Sequence, residues 1–277
     1  MQPTASNEMG VIAAAPVTPK RTKWQQYYNI VKELAIVGFR KKYHDSTLGY
    51  FWSMLNPLLL FTVYHFVFSY LFVSKLHKFT LYLLTGVFFY NFFQDVTSSA
   101  ISAVRSRARL TKTIYFPRYL IVFSSSLNAI FSFTINTSLI IVVTMIFDHV
   151  SWSQLLTVVP FILLILFGTG IGLILSILFV HFQDITEIWG VLITLGFWLT
   201  PIMYDPKYVP APLANVALLN PVGRILVMLR AYLVYDNTPS LLFFLSTTIV
   251  CIGVFVFGLY LFQRILSRFR LLVCYVI

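Results

Sequence analysis

Arg40, Lys41 and Lys42 stand together, with Tyr43 next, just before the first long apolar stretch. Three adjacent cations at that place favour an anionic lipid surface. They read either as an ordinary juxtamembrane anchor or as groups that handle a substrate. His65 and Asp95 are the ionisable groups that fall inside apolar stretches, where a proton or ion relay would need them. His65 lies among Tyr64, Phe66 and Phe68 and reads as a neutral, hydrogen-bonded histidine. Asp95 follows Gln94 and is open to three readings: a polar knot between helices, a channel-lining group or a coupling site. Two isolated groups make a thin relay.

Covalent chemistry has no obvious home. No glycine is followed by lysine, so the chain lacks a loop of the form that cradles nucleotide phosphates. The carboxylates number nine, most of them in loops or at the ends of apolar stretches, with no paired cluster. Ser124-Ser125-Ser126 has no base nearby and reads as small polar residues that let helices approach. Cys251 and Cys274 are 23 positions apart with no histidine close by, so a metal site is not expected. No catalytic residue is expected either, and any uphill transport would draw its energy from a separate subunit.

The elements that must position these residues follow from composition. Of 277 residues, 58% are hydrophobic and 10% charged, and the mean hydropathy is +0.83. Soluble domains carry about 25% charged residues. This composition therefore excludes a soluble enzyme, a disordered chain, a coiled coil and a disulfide scaffold. The excess of 20 Lys/Arg over 9 Asp/Glu points to membrane topology rather than nucleic acid.

A helix crosses a bilayer in about 20 apolar residues. Six stretches serve: 48–74, 79–104, 119–147, 156–180, 187–203 and 241–263. The segment 213–235 is apolar too, but Asn220-Pro221 breaks it and it holds Arg224 and Arg230. Each arginine near the bilayer centre costs about 2.5–3.5 kcal/mol on insertion scales. It is therefore read, within 205–235, as short re-entrant or interfacial helices. With both termini in the cytoplasm, six spans put fifteen Lys/Arg inside and five outside. A seventh span would weaken that asymmetry to twelve against eight.

Residues 24–44 differ in kind. Trp24, Tyr27, Tyr28, Val31, Leu34, Ala35 and Phe39 follow the spacing of one helical face, with polar residues on the other. Such a helix lies along the membrane surface. The expected architecture is thus an all-α integral membrane protein with six transmembrane helices and an N-terminal amphipathic interface helix. Its divisions are a disordered cytoplasmic tail (1–23), the interface helix (24–44), the six-span domain (45–265) and a cytoplasmic C-terminal tail (266–277).

Four blocks of sequence carry a family resemblance. Residues 43–57, from Tyr43-His44-Asp45 through Gly49-Tyr50-Phe51-Trp52 to Leu55-Asn56-Pro57, resemble the start of the first span in bacterial ABC permeases that export cell-surface polysaccharides. Leu110 to Arg118, ending Tyr115-Phe116-Pro117-Arg118, is similar to the loop between spans two and three. His181-Phe182-Gln183-Asp184 with Thr200-Pro201-Ile202-Met203-Tyr204 resembles the fourth loop and the end of span five. Leu219-Asn220-Pro221 with Arg230 resembles the short helix before span six. The blocks run in order over about residues 36–265. The chain departs from the pattern at Val37-Gly38, Gln183, Arg109 and Arg224, which leaves the subclass open.

The resemblance implies a subunit of an O-antigen, capsule or teichoic acid exporter in the bacterial cytoplasmic (inner) membrane. Its partners would be a second copy of itself and two copies of an ABC ATPase subunit, with ATP and magnesium on that subunit and no cofactor in this chain. The substrate would be a polysaccharide on a polyprenyl diphosphate lipid. Arg40, Lys41, Lys42 and Tyr43 would meet the diphosphate. Trp52, Tyr64, Tyr70, Tyr82, Phe88, Phe89, Tyr90, Phe92 and Phe93 would be the pool of channel aromatics along which sugar rings slide. Arg107, Arg109, Lys112 and Arg118 in one loop, and Asp184 and Glu187 in another, would couple to the ATPase. The loop cations also read as plain positive-inside topology. A stand-alone secondary carrier or channel, or an ABC permease for small lipids or drugs, is the alternative.

Overall fold

The computed structural model describes residues 22–43, 51–71, 78–107, 116–147 and 152–268. Nine α-helices and no strand make up these described residues. They are α1 (Lys23–Tyr43), α2 (Phe51–Leu71), α3 (Phe79–Ser106), α4 (Tyr119–Phe147) and α5 (Val158–His181). The rest are α6 (Ile185–Leu199), α7 (Ala211–Leu219), α8 (Pro221–Leu233) and α9 (Leu241–Arg268). Single 3-10 turns at Trp152–Thr157 and Pro206–Tyr208 precede α5 and α7. A helix occupies each of the six apolar stretches and the amphipathic segment before them.

Three helical stretches among the described residues are long and apolar enough to cross a bilayer: Tyr119–Val142, Trp152–His181 and Leu241–Ile265. A fourth is added if α7 and α8, bent by 96° at Asn220, form one broken span. The apolar parts of α2 and α6, Leu55–Ser69 and Ile185–Leu199, fall short of the roughly 20 residues of a straight crossing. At 28 residues α3 is about 42 Å long, but Asn91, Gln94, Asp95 and four serines make it more polar than those three stretches.

α3 is the hub. Every residue from 81 to 90 is buried, and the helix packs against α2, α4, α5, α6 and α8. Phe89 and Phe92 of α3 each bring their rings to 4.8 Å from Phe133 of α4. Phe161 of α5 stacks on Phe133 at 5.0 Å, so three helices share one aromatic cluster. Each such ring pair is worth about 0.5–1.5 kcal/mol beyond its buried area.

α5 and α9 meet through backbone. A Cβ at Gly170 would sit 2.8 Å from the Cα of Phe255, and one at Gly258 would sit 2.6 Å from the Gly170 carbonyl oxygen. Only glycine allows that approach, and in lipid close packing rather than the hydrophobic effect holds helices together. Breaks are equally local. Thr200, extended because Pro201 follows it, ends α6, its N–H bonding the Gly196 carbonyl. Asn220 caps α8 by accepting from the Val222 N–H at 3.0 Å, with Pro221 in the first turn.

Candidate functional site

α3 turns a polar stripe away from the core. Gln94, Asp95, Ser98 and Ser102 recur at helical spacing and are exposed. Two clefts open along it and share Asp95 and Ala129. The smaller, about 260 Å³, lies between α2, α3 and α4 and is lined by Asn56, Asn91, Asp95, Phe92, Phe133 and Asn136 among others. The larger, about 700 Å³, runs between α1, α3 and α4 past Ser98, Ser102, Ser106, Arg107 and Asn128. The Oδ1 atoms of Asn128 and Asn136 are buried without a donor. A buried acceptor left unpaired costs about 1–3 kcal/mol.

Arg107 fastens α1 to that seam. Its guanidinium donates to the Leu34 carbonyl at 3.1 Å, to the Ile121 carbonyl at 3.5 Å and to the Ser124 hydroxyl. Burial pushes its pKa below the usual guanidinium value, and three acceptors offset that by favouring the cation. Leu34, Val31, Ile30 and Tyr27 of α1 pack on Phe116, Leu120 and Ile121. Trp24 and Tyr28 stay exposed on the outer side. The amphipathic face inferred from sequence is therefore divided, most of it covered by α4. Gly38 lies so close to Arg107 and Asn128 that a Cβ would collide with both.

A second polar centre joins the breaks. Arg230 of α8 is 2% exposed. It donates to the carbonyls of Pro201, Ile202 (2.9 Å) and Tyr82 (3.1 Å). Tyr82 in turn donates to the Tyr204 carbonyl at 2.7 Å, and Asn220 donates to Thr200 at 2.9 Å. Tyr235 reaches Asp205 at 3.4 Å, and burial pushes the phenol up to about 12, so it stays a donor through neutral pH. The bent pair α7–α8 is thereby tied to α3 and to the end of α6.

The model of the ABC-2 type transporter family matches residues 31–234, which takes in the seam, both loops and the Arg230 centre. The chain belongs to the ABC-2 type transporter family. Among curated relatives, this ABC-2 chain is 26% identical over 223 residues to an O-antigen export system permease protein RfbA of Klebsiella pneumoniae, covering 78% of this chain and 86% of that one. The protein of the same name from Myxococcus xanthus is 24% identical, over 78% of this chain and 84% of its own. The polysialic acid transport protein KpsM of Escherichia coli is 21% identical, over 72% and 79%.

The residues expected to act in this ABC-2 chain are scattered. Tyr82, Phe88, Phe89, Tyr90, Phe92 and Phe93 are buried in the core, where they pack helix on helix. Trp52 is exposed and Tyr64 half-buried on α2. Tyr70 lies in α2, and Lys41, Lys42 and Tyr43 in the last turn of α1, with side chains outside the described residues; Arg40 is exposed. Arg107 is turned inward, Arg118 is half-buried, and Arg109 and Lys112 lie outside the described residues. Asp184 and Glu187 are exposed at the start of α6, where carboxylates suit the helix N-terminus. His65 shares a hydrogen bond of 2.9 Å with Thr80, so it has the partner expected of it. The glycines were missed. Gly168 and Gly172, four apart around Gly170, spell the small-residue spacing that signals close helix packing.

Proposed function

We propose that this chain is the membrane-embedded subunit of an ATP-driven exporter that moves a lipid-linked surface polysaccharide out of a bacterial cell. Likeness to O-antigen permeases over most of the length of both chains carries the reading. The ABC-2 family implies an ATPase partner, which supplies the phosphate chemistry that this sequence has no loop to perform.

The finer parts follow from the same reading. Six spans with both termini cytoplasmic satisfy the fifteen-to-five distribution of Lys/Arg. The short α2 and α6 cross where local thinning of the bilayer accommodates them, and α7–α8 dips in and returns. Two copies pair to line a wide passage, and two ATPase subunits dock beneath 105–118 and 181–187. Arg40, Lys41 and Lys42 hold a polyprenyl diphosphate at the inner leaflet by charge. Of the aromatic pool, Trp52 and Tyr64 are the accessible rings among the described side chains, and they border the passage.

Co-purification with the ATPase subunit tests the proposal. The chain alone should hydrolyse no ATP, and the complex should hydrolyse it and contain two copies of each subunit. A chain that isolates without any ATPase and drives its cargo with a proton gradient would instead be a secondary carrier.

A further inference from the structure

We propose that Arg224 of α8 is a lipid-phosphate site in the outer half of the membrane, its guanidinium taking the phosphate of a headgroup whose chains lie along α9. The choice of leaflet rests on the six-span reading above. The first observation is a contrast among three arginines. Arg107 and Arg230 are each engaged by three acceptors of the protein. Arg224 is half-buried, and among the described residues its side chain makes one hydrogen bond, from Nη2 to the Ser246 hydroxyl. Its guanidinium carbon lies 4.6 Å from the centre of the Phe243 ring, which seats the cation in one place.

Charge makes the site incomplete. No carboxylate among the described residues pairs with Arg224. The nearest in sequence are engaged elsewhere. Asp205 accepts from the Lys207 N–H and faces the Tyr235 hydroxyl, and Asp236 meets the Ser153 hydroxyl. A cation set in a membrane-embedded segment calls for a partner. Nη1 is the end that an anion can reach, because it meets no acceptor and, unlike Nε, is not enclosed.

The surroundings say which anion. Ser246 lies four residues after Leu242 and three before Ile249, so on the helix surface it stands between them. Leu242 is 82% exposed and Ile249 69%. α9 is also the least buried of the three long apolar helices. The guanidinium therefore borders an exposed hydrocarbon strip. Five residues beyond Leu241, Ser246 is about 8 Å from the outer end of α9. That is headgroup depth for a span of 25 residues across a hydrocarbon core of about 30 Å. A phosphate with chains beneath it matches both halves of this surface, and the fork of an arginine suits phosphate oxygens. Two lipids carry that chemistry: a phospholipid of the bilayer and a polyprenyl diphosphate.

Native mass spectrometry tests the site on the purified chain with any ATPase subunit that accompanies it, after detergent exchange has removed lipid. The probes are dioleoyl phosphatidylglycerol, undecaprenyl diphosphate and, as the control without phosphate, dioleoylglycerol. Wild type should hold at least one of the two phosphate lipids about tenfold more tightly than Arg224→Gln, the loss of a hydrogen bond from a charged donor. It should hold dioleoylglycerol no better than the variant does. Leu242→Glu, one turn before Ser246, offers the guanidinium a carboxylate of its own and should weaken the phosphate lipid likewise. If Arg224→Gln fails to fold, Leu242→Glu and the phosphate-free control decide. Tighter retention of phosphatidylglycerol assigns the site to bilayer lipid, and tighter retention of the diphosphate assigns it to the carrier. Equal retention by wild type and the variants, or a loss that extends equally to dioleoylglycerol, would overturn the site. Orientation is read separately. With Cys251 and Cys274 replaced by serine, a cysteine at Leu241 should react with an impermeant thiol reagent from outside intact cells. Reaction only in opened cells would overturn the outer placement together with the six-span reading, while the phosphate contact stands or falls by the retention measurements.

Discussion

The guanidinium carbon of Arg230 lies 3.4 Å from the centre of the Tyr82 ring, a cation seated on an aromatic face deep inside the protein. The same guanidinium binds carbonyls from the end of α6 and from α3, so one side chain of α8 joins three parts of the fold.

Arg230→Met should therefore destabilise the protein by at least about 3 kcal/mol, because buried carbonyls lose their donors. Arg230→Lys should not rescue it, since an ammonium neither forks nor stacks. Thermal unfolding in detergent measures both. A lysine variant with the wild-type midpoint would show that charge alone suffices.

Gly170→Leu should be inserted but fail to assemble. Its side chain would strike the backbone of α9 at Val254 and Phe255, which cannot move aside as a flexible tip could. Gly253, with open space where its Cβ would lie, should accept alanine without loss. Size-exclusion profiles of the two variants separate them, and a monodisperse Gly170→Leu would refute backbone contact between α5 and α9.

Much of the fold was legible because apolar runs and breakers act locally. Thr200-Pro201 ends α6 and Asn220-Pro221 starts α8 as those residue types dictate. The polar seam was not legible. Asp95 stood out, but its setting arises only when α3 meets Ser125, Asn128 and Asn136 of α4, at sequence distances no period reveals. The ring-rich run from Phe88 to Phe93 misled for a related reason. Aromatics serve a core and a channel equally well, and only tertiary packing shows that here they fill the core.

Arg107→Gln should loosen α1. Hydrogen bonds from a charged donor contribute about 1.5–3 kcal/mol, so backbone amides of α1 should exchange about tenfold faster or more. Amides of α3 and α5 should keep their rates. Unchanged exchange in α1 would show that its packing on Phe116, Leu120 and Ile121 is enough.

Asp184→Lys reverses an exposed charge at the start of α6, beside Glu187. If 181–187 docks the ATPase, the variant should insert normally and lose either complex assembly or the link between hydrolysis and export. Wild-type export with wild-type hydrolysis would take this loop out of the interface.

The central claim is ATP-driven movement of polymer by this chain with an ATPase subunit. Its most direct measurement uses proteoliposomes holding the purified complex, loaded with lipid-linked polymer extracted from producing cells. On adding ATP to the ATPase side, polymer should appear on the opposite face, and should fail to appear if ATP or either subunit is omitted. Transfer by this chain alone under a proton gradient, or hydrolysis by the intact complex with no polymer crossing, would contradict it.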